Sequence, residues 1–429
     1  MKDKILFWMD GALTHFCLAF YLQKKYYAQY YAIIDTISKP KKFFKEQKFV
    51  EFQKTWFLHD HVKELKSVDI DYLAVFEKKY GISLWELAVN ERIFYRFNRL
   101  YKFTTNEILS ILEKECKLFE EILDEIKPDF FITKEPALHH HEILYRLCKV
   151  KGIKILMLNN PNIGKCVISQ EVRKVDGIND IQSTSIKNLN FDQLREYRES
   201  FTMYNKISEY RKNFLTSRSA LVKAAINFFI SNNQQIKTQY SYYGRTKFRV
   251  IKDSMNILLS KKIRKRFIDK NLLKQIKTKE KFIYFPLGVD QERNLLISAP
   301  LYTNQVEVIR QIVKSMPVDY KLYVKENPAQ EIRRWREINE YREIADIPNI
   351  RLFHPDFPTE ELYKNCSLVI TIGGSSGFEA AFYQKPSIIF SDLGYSWLPS
   401  VYKMNSLNEL PNAIRLSLQK TVLATDLER

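Results

Sequence analysis

Apolar residues recur in two rhythms at the ends of this chain and in neither rhythm in its middle. Ile5-Leu6-Phe7-Trp8-Met9 is a run of buried-strand length. His15 to Lys24 has helical spacing, and Tyr31 to Asp35 is a second strand-like run. Thr105 to Ile126 then places Ile108, Leu109, Leu112, Cys116, Phe119 and Ile122 near helical intervals. Asp129 to Thr133 predicts a strand, His139 to Lys149 a helix, and Ile153 to Leu158 a strand after the turn at Gly152. Strand–helix–strand order of this kind implies a parallel sheet covered on both faces.

The alternation resumes at Phe282. Strands are predicted at Phe282 to Phe285, Tyr320 to Lys325, Asn349 to Phe353, Leu368 to Ile372 and Ser387 to Phe390. Helices are predicted at Thr303 to Ser315, Glu331 to Ile344, Thr359 to Asn365, Phe378 to Tyr383 and Leu407 to Gln419. The fold class is therefore α/β, with two Rossmann-like doubly wound domains, 1–165 and 276–429, joined by a basic helical connector, 166–275.

Composition narrows the class further. Hydrophobic content of 45% supports buried cores and excludes a disordered chain. Five widely spaced cysteines without a CxxC pair predict no disulfide framework and no zinc finger, and fit a reducing compartment. Ile5 to Met9 is too short for a leader, and no run of 18 apolar residues predicts a membrane span. The net charge is +18, and Phe201 to Lys281 alone holds 20 Lys/Arg against 4 Asp/Glu. Such a block attracts a polyanion or an anionic membrane face. Within it lie Lys261, Lys262, Arg264, Lys265 and Arg266, a candidate membrane-facing cluster, beside the apolar run Ile257-Leu258-Leu259. Tyr240, Tyr242 and Tyr243 raise the alternative of base stacking by a nucleic-acid-binding protein, although no nucleic-acid motif is present and no nucleic acid is expected.

Ligands of an open parallel sheet bind beyond the carboxyl ends of its strands. In the second half that rule selects Pro286 to Gly288, then Lys325, Glu326 and Asn327, then His354, then Gly373 to Ser376. Gly373, Gly374 and Gly377 are three of only 11 glycines. Their cluster predicts tight turning, positive φ or close approach of a ligand, and a strand ending in glycine and serine before a helix suits a phosphate. An ordinary βα turn with a serine cap has the same composition. Gly288, Lys325, Glu326, Asn327, Gly374, Ser375, Ser376 and Glu379 are the candidate donor-binding residues, with Glu379 equally suited to ribose hydroxyls and to a helix start.

In the first half a catalytic base is sought among Asp10 and His15 after the first strand, and Glu135 and His139 after Thr133. No metal is expected: neighbouring histidines on a helix diverge, and His139-His140-His141 lacks a supporting Cys or Asp spacing. Asp69-Ile70-Asp71 opens a helical stretch and is incidental.

The runs YFPLGVDQE, APLYTNQVEVIRQIVKSMPVDYKLYVKENP, NIRLFHP and SLVITIGGSSGFEAAFYQKPSIIF resemble bacterial capsule and surface-polysaccharide synthesis proteins of the Kdo-transferase-like type. ILFW with His15, and PDFFITKEPALHHHEILYRLCKVKGIKILML, look like the first domain of that group. The resemblance implies a GT-B glycosyltransferase, with two Rossmann-like domains facing across a cleft. It further implies a nucleotide-sugar donor, CMP-linked by preference and carrying Kdo or another acidic sugar, with no other cofactor. A lipid-linked or polysaccharide acceptor would place the enzyme in the cytoplasm, peripherally on the inner membrane face. Similar proteins hold CMP with a His-Pro and a Ser-Ser pair; Ser375-Ser376 match the second, while Asn327-Pro328 replaces the first. A sugar-nucleotide epimerase of the same fold is the nearest alternative.

Overall fold

The computed structural model describes residues 2–159 and 239–428, apart from 64, 66, 95 and 277–279. Between those ranges it describes 166–172, 174, 176–177, 189–200, 223, 226–228 and 230. The chain divides into two compact units. The first comprises Met1–Asp176 and Phe214–Asp253, the second Gly177–Asn213 and Ser254–Arg429, so the segment 166–275 is shared between them.

The first unit is built on six strands: β1 (Lys4–Asp10), β2 (Gln29–Asp35), β3 (Lys54–Phe57), β4 (Phe130–Lys134), β5 (Lys154–Asn159) and β6 (Val167–Ser169). Their order is β3-β2-β1-β4-β5-β6, parallel except for β6. β1 is apolar from Ile5 to Met9 because both its faces are covered there. Ile5, Phe7 and Met9 enter one core and Leu6 and Trp8 the other. The helix Thr105–Ile126 starts at a capping box between Thr104 and Glu107 and buries Ile108, Ile111, Leu112, Phe119 and Ile122.

The second unit repeats the plan with β7 (Phe282–Pro286), β8 (Lys321–Lys325), β9 (Ile350–Phe353), β10 (Leu368–Thr371), β11 (Ser387–Ile389) and β12 (Val401–Lys403). The order is β12-β11-β10-β7-β8-β9, all parallel. In each unit the first strand is central and the fourth lies on its other side, the doubly wound order that opens a crevice between those two strand ends. Ile283 and Phe285 face one core, Phe282 and Tyr284 the other. Both units are thus α/β and Rossmann-like, as the periodicity predicts.

Departures from the predicted elements have local causes. The stretch Glu331 to Ile344 is not one helix. A 3-10 turn at Pro328–Glu331 and a helix at Ile338–Asp346 are separated by Arg334 at φ 77°. Asp69 is a helix cap whose carboxylate accepts from the Tyr72 N–H at 2.9 Å, which accounts for Asp69-Ile70-Asp71. Tyr240 is buried, and Tyr243 stacks on Phe103 with centroids 5.9 Å apart. Two of the three rings behind the base-stacking alternative are therefore packing residues. Among the described residues no helix is long and apolar enough to cross a membrane.

Candidate active site

In the second unit the crevice lies between the ends of β7 and β10, with β8 next to β7. Lys325 is level with Pro286, and adjacent strands lie about 4.8 Å apart, so the ends of β8 and β10 are separated by about 10 Å. Lys325 ends β8 and is only 4% exposed. Among the described residues its ammonium has no ion pair and no hydrogen bond. Burial pushes it down to about 8 against the pull of Glu326, Asp356 and Glu379.

Glu379 acts on this cation only at a distance and is itself held by the glycine-serine turn. Ser375 donates to one carboxylate oxygen at 2.9 Å, and Tyr363 donates to the other at 3.1 Å. Arg198 lies 3.0 Å from that second oxygen. Ser375 is exposed and Ser376 half-buried at the start of the helix Ser376–Ala381. That helix has only six residues, too few for its dipole to carry an anion site. The backbone N–H groups, the Ser376 hydroxyl beside Tyr363 and Lys325 remain, the Ser375 hydroxyl being held by Glu379. None of Gly373, Gly374 and Gly377 has a positive φ. A Cβ on Gly373 would come to 3.0 Å from the Asn294 carbonyl, and one on Gly377 to 2.9 Å from the Tyr395 hydroxyl. Close packing of neighbouring chain thus explains those two glycines.

Four predicted donor ligands, Gly374, Gly288, Glu326 and Asn327, are already engaged inside the protein. The Gly374 N–H donates to Thr371 Oγ1 at 3.3 Å and its carbonyl accepts from the Tyr395 hydroxyl. The Gly288 N–H donates to Gln305 at 2.7 Å, and its carbonyl accepts from Gln305 at 3.0 Å and from Arg336. Glu326 is fully buried and accepts from Arg336 Nε at 2.9 Å, Tyr341 at 2.7 Å and its neighbouring Asn327 N–H at 2.6 Å. Burial raises its pKa even beside Arg336. Asn327 caps the following turn by accepting from Ala329 N–H at 2.9 Å. Gly288 and Glu326 are both fastened by the buried guanidinium of Arg336, which also meets Asp290 and Glu340. Sequence reasoning missed Arg336. Its neighbours Arg333 and Arg334 carry the same charge, and only the break at Arg334 turns it inward.

In the first unit the crevice lies between β1 and β4. Asp10 ends β1, pairs with Lys134 and accepts from the Ala12 N–H at 3.0 Å. His15 stands beside them, buried and hydrogen-bonded to the Thr133 backbone, with Nε2 unpartnered among the described residues. Burial lowers its pKa, so the ring is neutral at pH 7 and Nε2 carries a lone pair. Glu135 is half-buried on the loop after β4.

His139 does not fit the expected role of base. Its Nδ1 is 2.9 Å from Glu91 and its Nε2 is 3.0 Å from Glu115. Burial opposes its charge, but Glu115 and Glu91 outweigh burial and hold its pKa up to about 10, so it has no free lone pair at pH 7. His141 follows the expected divergence, stacking on Trp8 at 4.1 Å and meeting Thr133 Oγ1 at 2.7 Å. His139 and His140 do not diverge: their rings are 5.0 Å apart and both turn toward Glu115. Glu115 was legible as an outlier, since it lies three residues after Leu112 and four before Phe119 on the apolar stripe. Glu91, Asp35 and Tyr240 carry no such signal.

The membrane-facing cluster is corrected at one position. Arg264 is buried, donates to the Trp335 carbonyl and pairs with Glu337. Lys262 and Arg266 are exposed on the helix Lys247–Asn271, while Lys261 lies 3.5 Å from Glu331 and Lys265 3.2 Å from Asp269. Met255, Leu258, Leu259 and Ile263 are exposed on the same helix.

A search of curated proteins finds no match. Among solved structures, the chain is similar to a UDP-GlcNAc 2-epimerase of Methanocaldococcus jannaschii at 12% identity and TM-score 0.28, covering 98% of this chain and 94% of that one. It is similar to the beta Kdo 2,7 transferase KpsC of Thermosulfurimonas dismutans at 10% identity and TM-score 0.32, over 68% of this chain and 78% of that one. It is also similar to an α,α-trehalose-phosphate synthase of Burkholderia vietnamiensis at 11% identity and TM-score 0.30, over 99% and 94% of the two chains. At these scores the superpositions add nothing to the fold read from the two sheets. The family model described as "Capsule polysaccharide biosynthesis protein" matches residues 181–399, from before the Arg198–Glu379 pair to beyond the glycine-serine turn. That match spans more than half of the sequence, and the chain belongs to the family of capsule polysaccharide biosynthesis proteins.

Proposed function

We propose that this protein is a GT-B-type glycosyltransferase that moves a sugar from a nucleotide-activated donor to a surface polysaccharide or lipid-linked glycan. The observation that carries the reading is Lys325. A buried ammonium with no ion pair or hydrogen bond among the described residues, on a strand end one strand away from the glycine-serine turn, suits a phosphate. Lys325, Ser376 and the backbone N–H groups at Ser375 and Ser376 hold the donor phosphate. Gly288, Glu326 and Arg336 fix the strand ends around it.

His15 Nε2 takes the proton from the acceptor hydroxyl as its oxygen bonds to the anomeric carbon. The bond from that carbon to the phosphate oxygen breaks, and Lys325 meets the charge that develops on the leaving phosphate. A CMP-linked acidic sugar is the favoured donor, on the Ser375-Ser376 pair. The exposed Lys262, Arg266, Leu258 and Leu259 bring the enzyme to an anionic membrane that carries the acceptor.

The test is incubation of the full chain with CMP-, UDP-, GDP- or CDP-activated sugars, with and without a lipid-linked glycan from the same pathway. Nucleotide release that needs the acceptor, with the sugar appearing on it, supports the reading. Conversion of the donor sugar without acceptor would overturn it in favour of an epimerase, and no turnover of any donor would overturn it outright.

A further inference from the structure

We propose that Glu115, His139 and His140 bind a divalent transition-series cation such as Zn2+, in a closed site that fastens the Tyr240 segment to the first unit. This inference is independent of the transfer reaction. One oxygen of Glu115 and one nitrogen of each ring lie within 4.8 Å of one another, and all three residues are buried. Glu115 comes from the helix Thr105–Ile126, and the histidines open the helix His139–Val150.

The decisive feature is what the other ring nitrogens do. His139 Nδ1 is 2.9 Å from Glu91 Oε2, which also accepts from the His139 backbone N–H at 2.8 Å. His140 Nε2 is 3.3 Å from Asp35 Oδ2, and Asp35 Oδ1 is held by His59 Nε2 at 2.9 Å. Each histidine thus has one nitrogen on a carboxylate, Glu91 buried and Asp35 half-buried. That is the outer-shell arrangement that fixes the tautomer of a metal-binding imidazole and raises its basicity. It leaves His139 Nε2 and His140 Nδ1 as the coordinating atoms, the cation displacing to solvent the proton that Glu115 and Glu91 otherwise hold on His139.

Those atoms are poorly served by the protein alone. His139 Nε2 and Glu115 Oε2 are 3.0 Å apart, yet they are not aligned as a hydrogen bond, and neither has another hydrogen-bond partner among the described residues. Buried polar atoms are rarely left in that state. The Tyr240 hydroxyl stands 3.1 Å from Glu115 Oε1 and 3.4 Å from His140 Nδ1, at the fourth corner of the group. Glu91 and Glu115 are buried carboxylates and Asp35 a half-buried one in the same cluster, and a dication offsets their charge. Two imidazoles and a carboxylate suit Zn2+ or Co2+ rather than Mg2+ or Ca2+.

The full chain, expressed without a histidine tag, is to be assayed for metal content, stripped with chelator and titrated with Co2+. The expected result is one zinc per chain as isolated. The stripped protein should take up one Co2+ with the strong visible absorption of a tetrahedral site, and excess Mg2+ should not displace it. His139→Asn and His140→Asn abolish that absorption, and Glu91→Gln weakens Co2+ binding about tenfold or more, the range for outer-shell partners. Should the histidine variants not fold, the wild-type unfolding temperature decides: it falls on chelation and is restored by Zn2+. Protein isolated without metal that shows neither Co2+ absorption nor a Zn2+-dependent unfolding temperature overturns the proposal. So does absorption that survives in a folded His139→Asn/His140→Asn double variant.

Discussion

Replacing Lys325 by Met should make the protein more stable and bind its ligand less well. The free protein holds this ammonium buried at 4% exposure with its pKa down at about 8, against 10.5 for an exposed lysine. At about 1.4 kcal/mol per factor of ten, that gap amounts to about 3 kcal/mol carried by the folded state. Below pH 8 the lysine is charged in both folded and unfolded chains, and the whole cost is present. As pH rises from 8 toward 10.5 the folded chain binds fewer protons than the unfolded one, so its stability rises relative to the Met variant and the cost disappears.

Urea unfolding of both proteins at about pH 7 and about pH 9.5, alongside calorimetry with the donor nucleotide, measures both quantities. The Met variant should be more stable by about 1–3 kcal/mol near neutrality, with the gap narrowing at high pH. Its nucleotide affinity should fall by about 1.5–3 kcal/mol, the worth of a hydrogen bond to a charged group. A Met variant that is less stable by a pH-independent amount would refute the reasoning. The ammonium would then be satisfied within the protein rather than held for a ligand.

Ser376→Ala should weaken nucleotide binding by about 1–3 kcal/mol by calorimetry; unchanged affinity in the Ser375→Ala/Ser376→Ala double variant would remove the turn from the donor site. His15→Gln should lower kcat by about 10²–10⁴ with little change in KM. Because burial lowers the His15 pKa, wild-type turnover should persist below pH 6.5 and fall only as the ring finally protonates, and the variant should lack that limb. Arg336→Met should cost about 3–5 kcal/mol in unfolding experiments, since it strands Glu326 and Asp290 in the core. Sedimentation with anionic vesicles should fall with salt and fall again when Lys261, Lys262, Lys265 and Arg266 become Gln; equal binding to neutral vesicles would leave the charge run as a solvated face.

The central strands were legible because burial on both faces writes an unbroken apolar run, as in Ile5 to Met9 and Phe282 to Phe285. β3, β6 and β12 escaped notice. Each has three or four residues, and their patterns (Lys54 to Phe57, for example) are half polar because little covers them. The strand-end rule selected Lys325, Ser375, Ser376, Asp10 and His15 as candidates. It could not distinguish groups facing outward from groups consumed by the protein. Glu326 and Lys325 are neighbours in sequence, yet only Glu326 is met by Arg336 and Tyr341, which follow the left-handed turn at Arg334. Arg264 reads as one more charge in a basic run until helical rotation turns it to the Trp335 carbonyl. The Glu115 cluster assembles from Asp35, Glu91, Glu115, His139, His140 and Tyr240, too dispersed for spacing to reveal it.

The central claim is that the β7–β10 crevice binds an activated sugar through its phosphate. Calorimetric titration of the full chain with CMP, UDP, GDP and CDP tests it most directly. One nucleotide, CMP by preference, should bind with one-to-one stoichiometry and lose most of its affinity in a Lys325→Met/Ser376→Ala double variant. Absence of binding by all four, or binding that is indifferent to both substitutions, would contradict the account.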